Sequence, residues 1–318
     1  MTLCVILAAG QGKRMKSPLP KVVHPVLGVP MVIRVVHQAV KAGFDKPVVV
    51  VGHGRDGVIQ LLESEGIPWA VQEEQLGTAH AVSCGLKDLI ADDITVLLGD
   101  VPLLRSRTIT DLVEARREAD AAVAVLTAFP PDSTGYGRIV RDGNILSEIV
   151  EERDTTPEQQ KIGEINTGIM SFDGSILPLL LEGITTDNDQ NEYYLTDAIS
   201  IARKMGKPCI AVVADDWREV AGINDRVQLA EATCNLRRRV VNDHLRLGTV
   251  IPDPDNVWIE ESVTVGDDVS IGRACRLSGR TLLGDGCVIG DGCVIIDSVL
   301  PPGTVLDPFT VKGWSGNL

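Results

Sequence analysis

The stretch LAAGQGKRM (residues 7–15) decides the fold prediction, because it directly follows an apolar run that begins at Leu3. An apolar run predicts a buried strand, and alanines and glycines behind it predict a loop at the strand's carboxyl end. Small residues let backbone N–H groups approach a polyphosphate, and Arg14 and Lys21 can neutralise its charge. Because the stretch matches neither GxxxxGK[ST] nor GxGxxG, it favours a nucleotide loop of another kind.

The rest of the first 130 residues alternates between two hydrophobic periods. Continuous apolar runs predict strands at residues 46–52, 67–72, 94–100 and 121–128. Helical periods lie at residues 30–43 and 105–119. This βαβ order predicts an α/β, Rossmann-like doubly wound sheet, in which ligands bind beyond the carboxyl ends of the strands.

The period shortens to six residues after Ile259. An aliphatic residue opens each hexad, which predicts a parallel β-helix of a little over two coils, ending before VKGWSGNL (311–318). We expect the fifth positions to be stacked core residues: Val269, Cys275, Thr281, Cys287, Cys293 and Val299. A short coil stack can cover its apolar surface by oligomerising, and we expect a homotrimer. The predicted domains are residues 1–226, a linker helix at 227–250, and a truncated β-helix at 251–318.

Composition narrows the class of protein. The 318 residues are 44% hydrophobic, and no apolar run reaches the roughly 18–20 residues of a membrane helix. The start of the chain lacks the basic region of a signal peptide. The seven cysteines form no CxxC pair, and the five histidines have no zinc-site spacing. We therefore expect a soluble cytoplasmic protein with reduced thiols and no membrane partner.

Charge is distributed unevenly along the chain. The net charge of −14 argues against a nucleic-acid partner. Residues 1–44 nevertheless contain six Lys or Arg and no Asp or Glu. This segment predicts a site for a small anion; a solvated basic face is the alternative.

A series of motifs, in this order, resembles bacterial N-acetylglucosamine-1-phosphate uridyltransferase. The resemblance runs to about residue 250, and the hexads resemble the start of that family's left-handed β-helix. The motifs after LAAGQGKRM are LPKVVHPVLGVPM (19–31), QEEQLGTAHAV (72–82), LLGDVPLL (97–104), TGYGRIV (134–140), EIVEERD (148–154), EINTGI (164–169), NEYYLTDAI (191–199) and GINDRVQLAE (222–231).

The resemblance implies a role for each matching residue. Arg14 and Lys21 would be catalytic cations at the phosphates, and Asp100 and Asn224 would hold Mg²⁺. No contact is assigned to Tyr193 or Tyr194. The nucleotide would bind to Leu7, Ala8, Ala9, Gly10, Gln72, Gly77 and Thr78, and the sugar to Gly137, Glu151, Asn166 and Asn224.

Each assignment has a plainer alternative. Asp100 alone reads as a turn residue and Asn224 as a helix cap. Lys21 alone is an ordinary surface lysine, Glu151 part of a solvated charge run, and Asn166 a turn residue.

The implied reaction joins UTP and N-acetylglucosamine 1-phosphate, giving UDP-N-acetylglucosamine and pyrophosphate, for the synthesis of peptidoglycan and lipopolysaccharide precursors. Bifunctional members of the family continue into an acetyltransferase part. Since the hexads stop before Leu318, we expect a short form limited to uridyl transfer, although a chain cut after the first activity fits equally. A transferase for another sugar or base, and an inactive sugar-nucleotide sensor or scaffold, remain alternatives.

Overall fold

The protein, described here from a computed structural model, divides into two compact units. The structure describes residues 2–87, 91–143, 145–188 and 190–313. One unit is Met1–His24 with Pro30–Gln228, and the other is Pro25–Val29 with Leu229–Leu318. Within the described residues, no helix has the length and apolar character needed to cross a membrane.

The strands and helices of the two units are as follows. In chain order, the strands are β1 (Thr2–Ala8), β2 (Pro25–Val26), β3 (Val29–Pro30), β4 (Val48–Val51), β5 (Trp69–Val71), β6 (Asp93–Leu98), β7 (Val123–Ala128), β8 (Arg138–Asp142), β9 (Ile145–Val150), β10 (Ile165–Asp173), β11 (Cys209–Val213), β12 (Trp258–Ile259), β13 (Thr264–Val265), β14 (Ser270–Ile271), β15 (Arg276–Ser278), β16 (Leu282–Leu283), β17 (Val288–Ile289), β18 (Val294–Ile296), β19 (Val299–Leu300), β20 (Val305–Leu306) and β21 (Val311–Lys312). The helices are α1 (Met31–Lys41), α2 (Arg55–Ser64), α3 (Thr78–Leu86), α4 (Ser106–Glu118), α5 (Leu177–Gly183), α6 (Asp197–Lys204) and α7 (Arg226–Arg246).

The first unit is built on a twisted sheet in the order β11-β7-β10-β6-β1-β4-β5. β1 lies in parallel between β6 and β4, and its central residues are buried because helices cover both faces of such a sheet. The predicted Rossmann-like fold is confirmed. The sequence pattern did not reveal that β10 runs antiparallel to β6 and β7.

The strand arrangement brings several loops to one edge of this sheet. β1, β4, β5 and β6 are parallel, so the loops that follow them emerge at the same edge. β10 reaches this edge with its early residues, and its pairing with β7 shifts register between Asn166 and Met170. Such bulges redirect side chains and are common beside active sites.

The second unit contains the predicted left-handed parallel β-helix. Its coils form three sheets, β12-β15-β18-β21, β13-β16-β19 and β14-β17-β20. The three cysteines of the hexads are buried free thiols, as predicted: Cys275, Cys287 and Cys293. Burial raises the pKa of Cys275 to about 11, so this thiol is a core group and not a thiolate ligand.

One predicted core position of the β-helix is wrong. Val299 is 69% exposed, whereas the next residue, Leu300, is 2% exposed and takes the inward place. The cause is a coil that is one residue shorter: Leu282 pairs 18 residues on from Thr264, but Val299 pairs only 17 residues on from Leu282.

The β-helix also extends further than the predicted two coils. Val311 and Lys312 still pair with Val294 and Ile295, although the sequence analysis placed VKGWSGNL outside the repeat. Residues 314–318 of that stretch lie outside the described residues.

Candidate active site

A cavity of about 230 Å³ opens at the loop-bearing edge of the sheet in the first unit. Its wall brings together residues far apart in sequence, and seven of them are predicted site residues: Leu7, Thr78, Asp100, Gly137, Glu151, Asn166 and Asn224. Ligand pockets usually measure about 300–1,000 Å³, so the enclosed part is smaller than a typical ligand site. Seven other predicted residues lie outside this wall: Ala8, Ala9, Gly10, Arg14, Lys21, Gln72 and Gly77.

Lys21 is not part of the cavity wall, but it connects two of the wall's polar residues. Its ammonium donates to Asp100 Oδ2 and, over 3.1 Å, to Asn224 Oδ1. Gly12 leaves room for the Lys21 side chain. Its φ is +59°, and a Cβ on residue 12 would lie 2.6 Å from the Lys21 Cβ. A larger residue in place of this glycine would therefore displace the Lys21 side chain.

The loop after β1 presents backbone donors. The carbonyl oxygen of Ala9 accepts from the His53 N–H over 3.3 Å, and that of Leu7 accepts from Gly99 over 2.9 Å. In the described part of the chain, the N–H groups of Gly10 and Gln11 meet no protein acceptor. Free amides in a bare loop suit an anion.

Arg14 and the short turn that carries it lie on the surface. The Arg14 side chain is exposed, and its turn is attached at Met15, whose carbonyl oxygen accepts from Arg226 Nε over 3.2 Å. The structure therefore does not bring Arg14 into the cavity wall.

The loop around Gly77 is held by the backbone of Tyr193. The Tyr193 N–H donates to Leu76 and its carbonyl accepts from Ala79, over 2.8 and 2.9 Å. Gly77 has φ +113°, and a Cβ there would come within 2.5 Å of the Tyr193 backbone. The motif NEYYLTDAI thus contains a residue, Tyr193, that holds the Gly77 loop through backbone hydrogen bonds. Side-chain chemistry does not reveal such a role in the sequence.

A carboxylate and an amide line the opposite part of the cavity. Glu151 Oε1 accepts from the Thr196 hydroxyl over 3.1 Å, and burial raises the Glu151 pKa although this hydrogen bond opposes the shift. Asn166 Oδ1 accepts from the Gly168 N–H over 2.9 Å, which leaves the Asn166 amino group to donate. The Asn166 N–H donates to the Gly137 carbonyl over 2.8 Å, and this bond joins the two motifs.

Three further polar residues in the cavity wall were missed by the sequence analysis, Tyr136, Thr167 and Thr196. Burial raises the pKa of Tyr136, while a hydrogen bond with the Gly222 backbone opposes the shift, so the phenol is a neutral hydrogen-bonding group. All three residues lie inside quoted motifs, TGYGRIV, EINTGI and NEYYLTDAI, and that position was the available signal.

The oxygen atoms around Lys21 fit a magnesium ion. Asp100 Oδ2 and Asn224 Oδ1 converge on one cationic group, so both point at a position that favours positive charge. Mg²⁺ takes few protein oxygens and completes its shell with water and phosphate. Among the described residues, no group of three His, Cys, Asp or Glu side chains could hold a metal.

Comparison with known proteins adds the following relatives. Residues 4–135 match the model of the MobA-like NTP transferase domain. The bifunctional protein GlmU of Syntrophotalea carbinolica is 46% identical over 266 residues, covering 83% of this chain and 57% of that protein. The bifunctional protein GlmU of Brevibacillus brevis is 47% identical over 268 residues, covering 83% of this chain and 58% of that protein. The chain therefore spans less than two thirds of the length of these relatives.

A solved structure has the same fold at lower identity. It is a UDP-glucose pyrophosphorylase complexed with UDP-glucose, with a TM-score of 0.59 and 18% identity. The match covers 75% of this chain and 99% of the other. At this identity the similarity shows the fold alone.

Proposed function

Because the chain is a homologue of the GlmU proteins over 83% of its length and contains an NTP transferase domain, we propose that it transfers UMP from UTP to N-acetylglucosamine 1-phosphate. The products are UDP-N-acetylglucosamine, a precursor for cell-wall polymer synthesis, and pyrophosphate, the by-product. One observation carries the proposal: Lys21, Asp100 and Asn224 converge beside a cavity that also contains Glu151 and Asn166.

The nucleotide would bind along the loop after β1 and the loop before α3. The backbone of residues 7–10 would face the ribose and phosphates, and its free amides support this role. Gln72 and the amide of Gly77 would contact the uracil, and Thr78 begins α3 beside them. Thr78 Oγ1 already accepts from the Leu195 N–H over 2.9 Å, which holds this loop in place.

The sugar would occupy the other end of the cavity. Glu151 and the amino group of Asn166 offer an acceptor and a donor, the combination that hydroxyl and acetamido groups need. Gly137 has no side chain to fill the space beside the Glu151 Oε2, which a Cβ would approach to 3.5 Å. Asn224 would stand between the sugar phosphate and the metal.

The reaction needs no protein nucleophile. A phosphate oxygen of the sugar 1-phosphate attacks the α-phosphorus of UTP in line, and the bond to the bridging oxygen breaks as pyrophosphate leaves with the electron pair. Since the attacking phosphate is already ionised, no general base is needed. Lys21 and the loop amides stabilise the spreading negative charge.

Mg²⁺ would be held by Asp100 and Asn224 and would offset charge on the phosphates when bound. Lys21 would then exchange its present partners for phosphate oxygens, which is possible because its long side chain is flexible and its ammonium is a single point charge. Arg14, exposed near the loop, would reach the departing pyrophosphate.

A panel of acceptors tests the proposed function. Pyrophosphate release from UTP is measured with N-acetylglucosamine 1-phosphate, glucosamine 1-phosphate or glucose 1-phosphate, each with Mg²⁺ and with chelator. Metal-dependent release with the N-acetylated sugar alone is expected. Release with glucose 1-phosphate alone would contradict the substrate, and binding of UDP-N-acetylglucosamine without any release would contradict the activity.

We further propose that the protein is a cytoplasmic homotrimer assembled through the β-helix. Apolar side chains are exposed on all three of its sheets: Leu282 and Val299 on one, Val288 and Val305 on another, and Val311 on the third. Covering such residues is a reason to associate. Light scattering is expected to give three times the chain mass, and a stable monomer would contradict the trimer.

A further inference from the structure

The carboxamide of Gln72 has a defined orientation before any ligand binds. Gln72 is 3% exposed, and its Nε2 donates to the Gly77 carbonyl oxygen over 3.0 Å. A carbonyl oxygen only accepts, so the opposite orientation would set two acceptors against each other. The Gly77 carbonyl therefore favours the amino group of Gln72 on this side.

His80 uses the second hydrogen of the same amino group. Its Nδ1 lies 3.2 Å from the Gln72 Nε2. Because that nitrogen is a donor, Nδ1 must be the accepting nitrogen of a neutral ring, and the ring proton must be on Nε2. The His80 Nε2 lies 3.6 Å from the Cys84 Sγ, a weak acceptor one helical turn further along α3.

The chain of hydrogen bonds leaves one atom of Gln72 for a ligand. Among the described residues, no protein donor reaches the Gln72 Oε1. An acceptor in this position suits the N3–H of uracil. Cytosine has an unprotonated N3 and would place an acceptor against it.

We propose that His80, kept in its Nε2-protonated form by Cys84, is a positioning residue that locks the Gln72 carboxamide and thereby selects uracil over cytosine. The inference rests on the proposed function, since it assumes that the base of the nucleotide lies at Gln72. His80 acts through Gln72 and does not touch the base. A site that aligns buried hydrogen-bonding groups rejects a mismatched analogue strongly, because those groups are left unpaired.

Substitutions that keep or remove the acceptor at position 80 separate the lock from simple packing. His80→Phe keeps a ring and removes the acceptor, whereas His80→Gln supplies an oxygen that can accept from Gln72. We expect His80→Phe to lower the preference for UTP over CTP, as a ratio of kcat/KM values, by at least tenfold. His80→Gln should retain most of the preference. An unchanged preference in His80→Phe would overturn the inference.

Cys84 tests the far end of the chain. Cys84→Ser keeps an acceptor for the His80 Nε2–H and should leave the preference near that of the wild type. Cys84→Ala removes the acceptor and should lower the preference by about threefold, less than His80→Phe, because one weak hydrogen bond is lost. An equal loss in the Ser and Ala variants would contradict the role of Cys84.

The tautomer can be observed without turnover. Long-range ¹H–¹⁵N correlation of the nucleotide-free wild-type protein is expected to show His80 with a bare Nδ1 and a protonated Nε2. A protonated Nδ1 in the neutral ring would overturn the inference whatever the activity. If wild-type protein transfers no uridylate, the proposed function fails, and this spectrum still decides whether the lock exists.

Discussion

Two groups of paired charges lie at opposite ends of β6 and differ in how they are held. Asp93 opens the strand and accepts from Arg116 and Arg117, the latter through both Nε and Nη2 over 3.1 and 2.6 Å. Asp100 follows the strand's carboxyl end and accepts from Lys21. The first group uses guanidinium forks in fixed geometry, whereas the second uses one flexible ammonium.

The difference separates a structural ion cluster from an exchangeable one. Burial alone would raise the pKa of Asp93, but hydrogen bonds from Arg117 and Arg116 outweigh burial and hold that pKa below its ordinary value. This carboxylate is committed to the fold. At the other end of β6, Asp100 accepts from the Lys21 ammonium, which also donates to the amide oxygen of Asn224. A metal ion could take the position of this ammonium, and Lys21 could then turn to phosphate oxygens.

The largest effect is expected from Asp93→Asn. It leaves the buried Arg116 without its carboxylate, and breaking a buried ion pair costs about 3–5 kcal/mol. Urea unfolding should show this loss, while kcat of the folded fraction stays near the wild-type value. The exposed Asp45, changed in the same way by Asp45→Asn, is the control and should shift the free energy of unfolding by about 0.5 kcal/mol or less. Equal losses in the two variants would remove the contrast.

Asp100→Ala should show the reverse pattern. We expect kcat to fall by about 10²–10³-fold or more, the range seen when charge stabilisation in a transition state is removed. The free energy of unfolding should fall less than in Asp93→Asn, since the Asp100 side chain is 20% exposed and that of Asp93 is 5% exposed. Pyrophosphate release and urea unfolding are measured on one preparation. Turnover close to that of the wild type at saturating Mg²⁺ would contradict the metal assignment.

Lys21→Met tests whether a metal cation can replace the Lys21 ammonium beside Asp100 and Asn224. In the free protein the Lys21 ammonium uses the oxygens that a metal would need, so its removal should tighten Mn²⁺ binding by about tenfold, or about 1.4 kcal/mol. Electron paramagnetic resonance on nucleotide-free protein measures this affinity. The exposed Lys16→Met is the matched control. Weaker Mn²⁺ binding in Lys21→Met would show that Lys21 assists the metal site directly.

The smallest effect is expected from Glu151→Gln. The folded-state pKa of Glu151 lies above its ordinary value of 4.5 because the carboxyl is buried. The protonated Glu151 carboxyl therefore makes its full contribution to the free energy of unfolding below pH 4.5. This contribution is lost as pH rises through the folded-state pKa. The Gln variant should gain stability over the wild type across that rise and then hold a constant advantage.

The same variant should raise the KM for the sugar phosphate by about fivefold, because a hydrogen bond to a charged group is worth about 1 kcal/mol more than one to a neutral group. Thermal unfolding at a series of pH values measures the stability, and the exposed Glu148→Gln controls for loss of charge nearby. A stability advantage that grows as pH falls would contradict the burial effect.

The sequence predicted the elements with strong periodicity. The run before LAAGQGKRM lies in β1, the four other predicted strands overlap β4, β5, β6 and β7, and the hexads form the coils. These succeed because burial on a sheet face or in a coil repeats at a fixed spacing. The prediction for Val299 was wrong because this coil is one residue shorter than three full hexads. A strict six-residue repeat does not show the shortening, which moves Val299 from the inside of the coil to the outside.

The site was predicted less completely because parts of it are made by pairing between distant segments. Motif residues such as Asp100 and Glu151 could be named, and they line the cavity. The backbone of Tyr193, the antiparallel course of β10 and the bond between Gln72 and His80 depend on which loops meet in space. No spacing in the sequence encodes these contacts.

We propose that this chain joins UTP to N-acetylglucosamine 1-phosphate at the carboxyl edge of its sheet. The most direct measurement follows a mixture of both substrates, Mg²⁺ and wild-type protein by ³¹P nuclear magnetic resonance, with Asp100→Ala in parallel. We expect UDP-N-acetylglucosamine and pyrophosphate to appear in equal amounts with the wild type and at least a hundredfold more slowly with the variant. Unchanged substrates with the wild type, or equal rates for the two proteins, would contradict the claim.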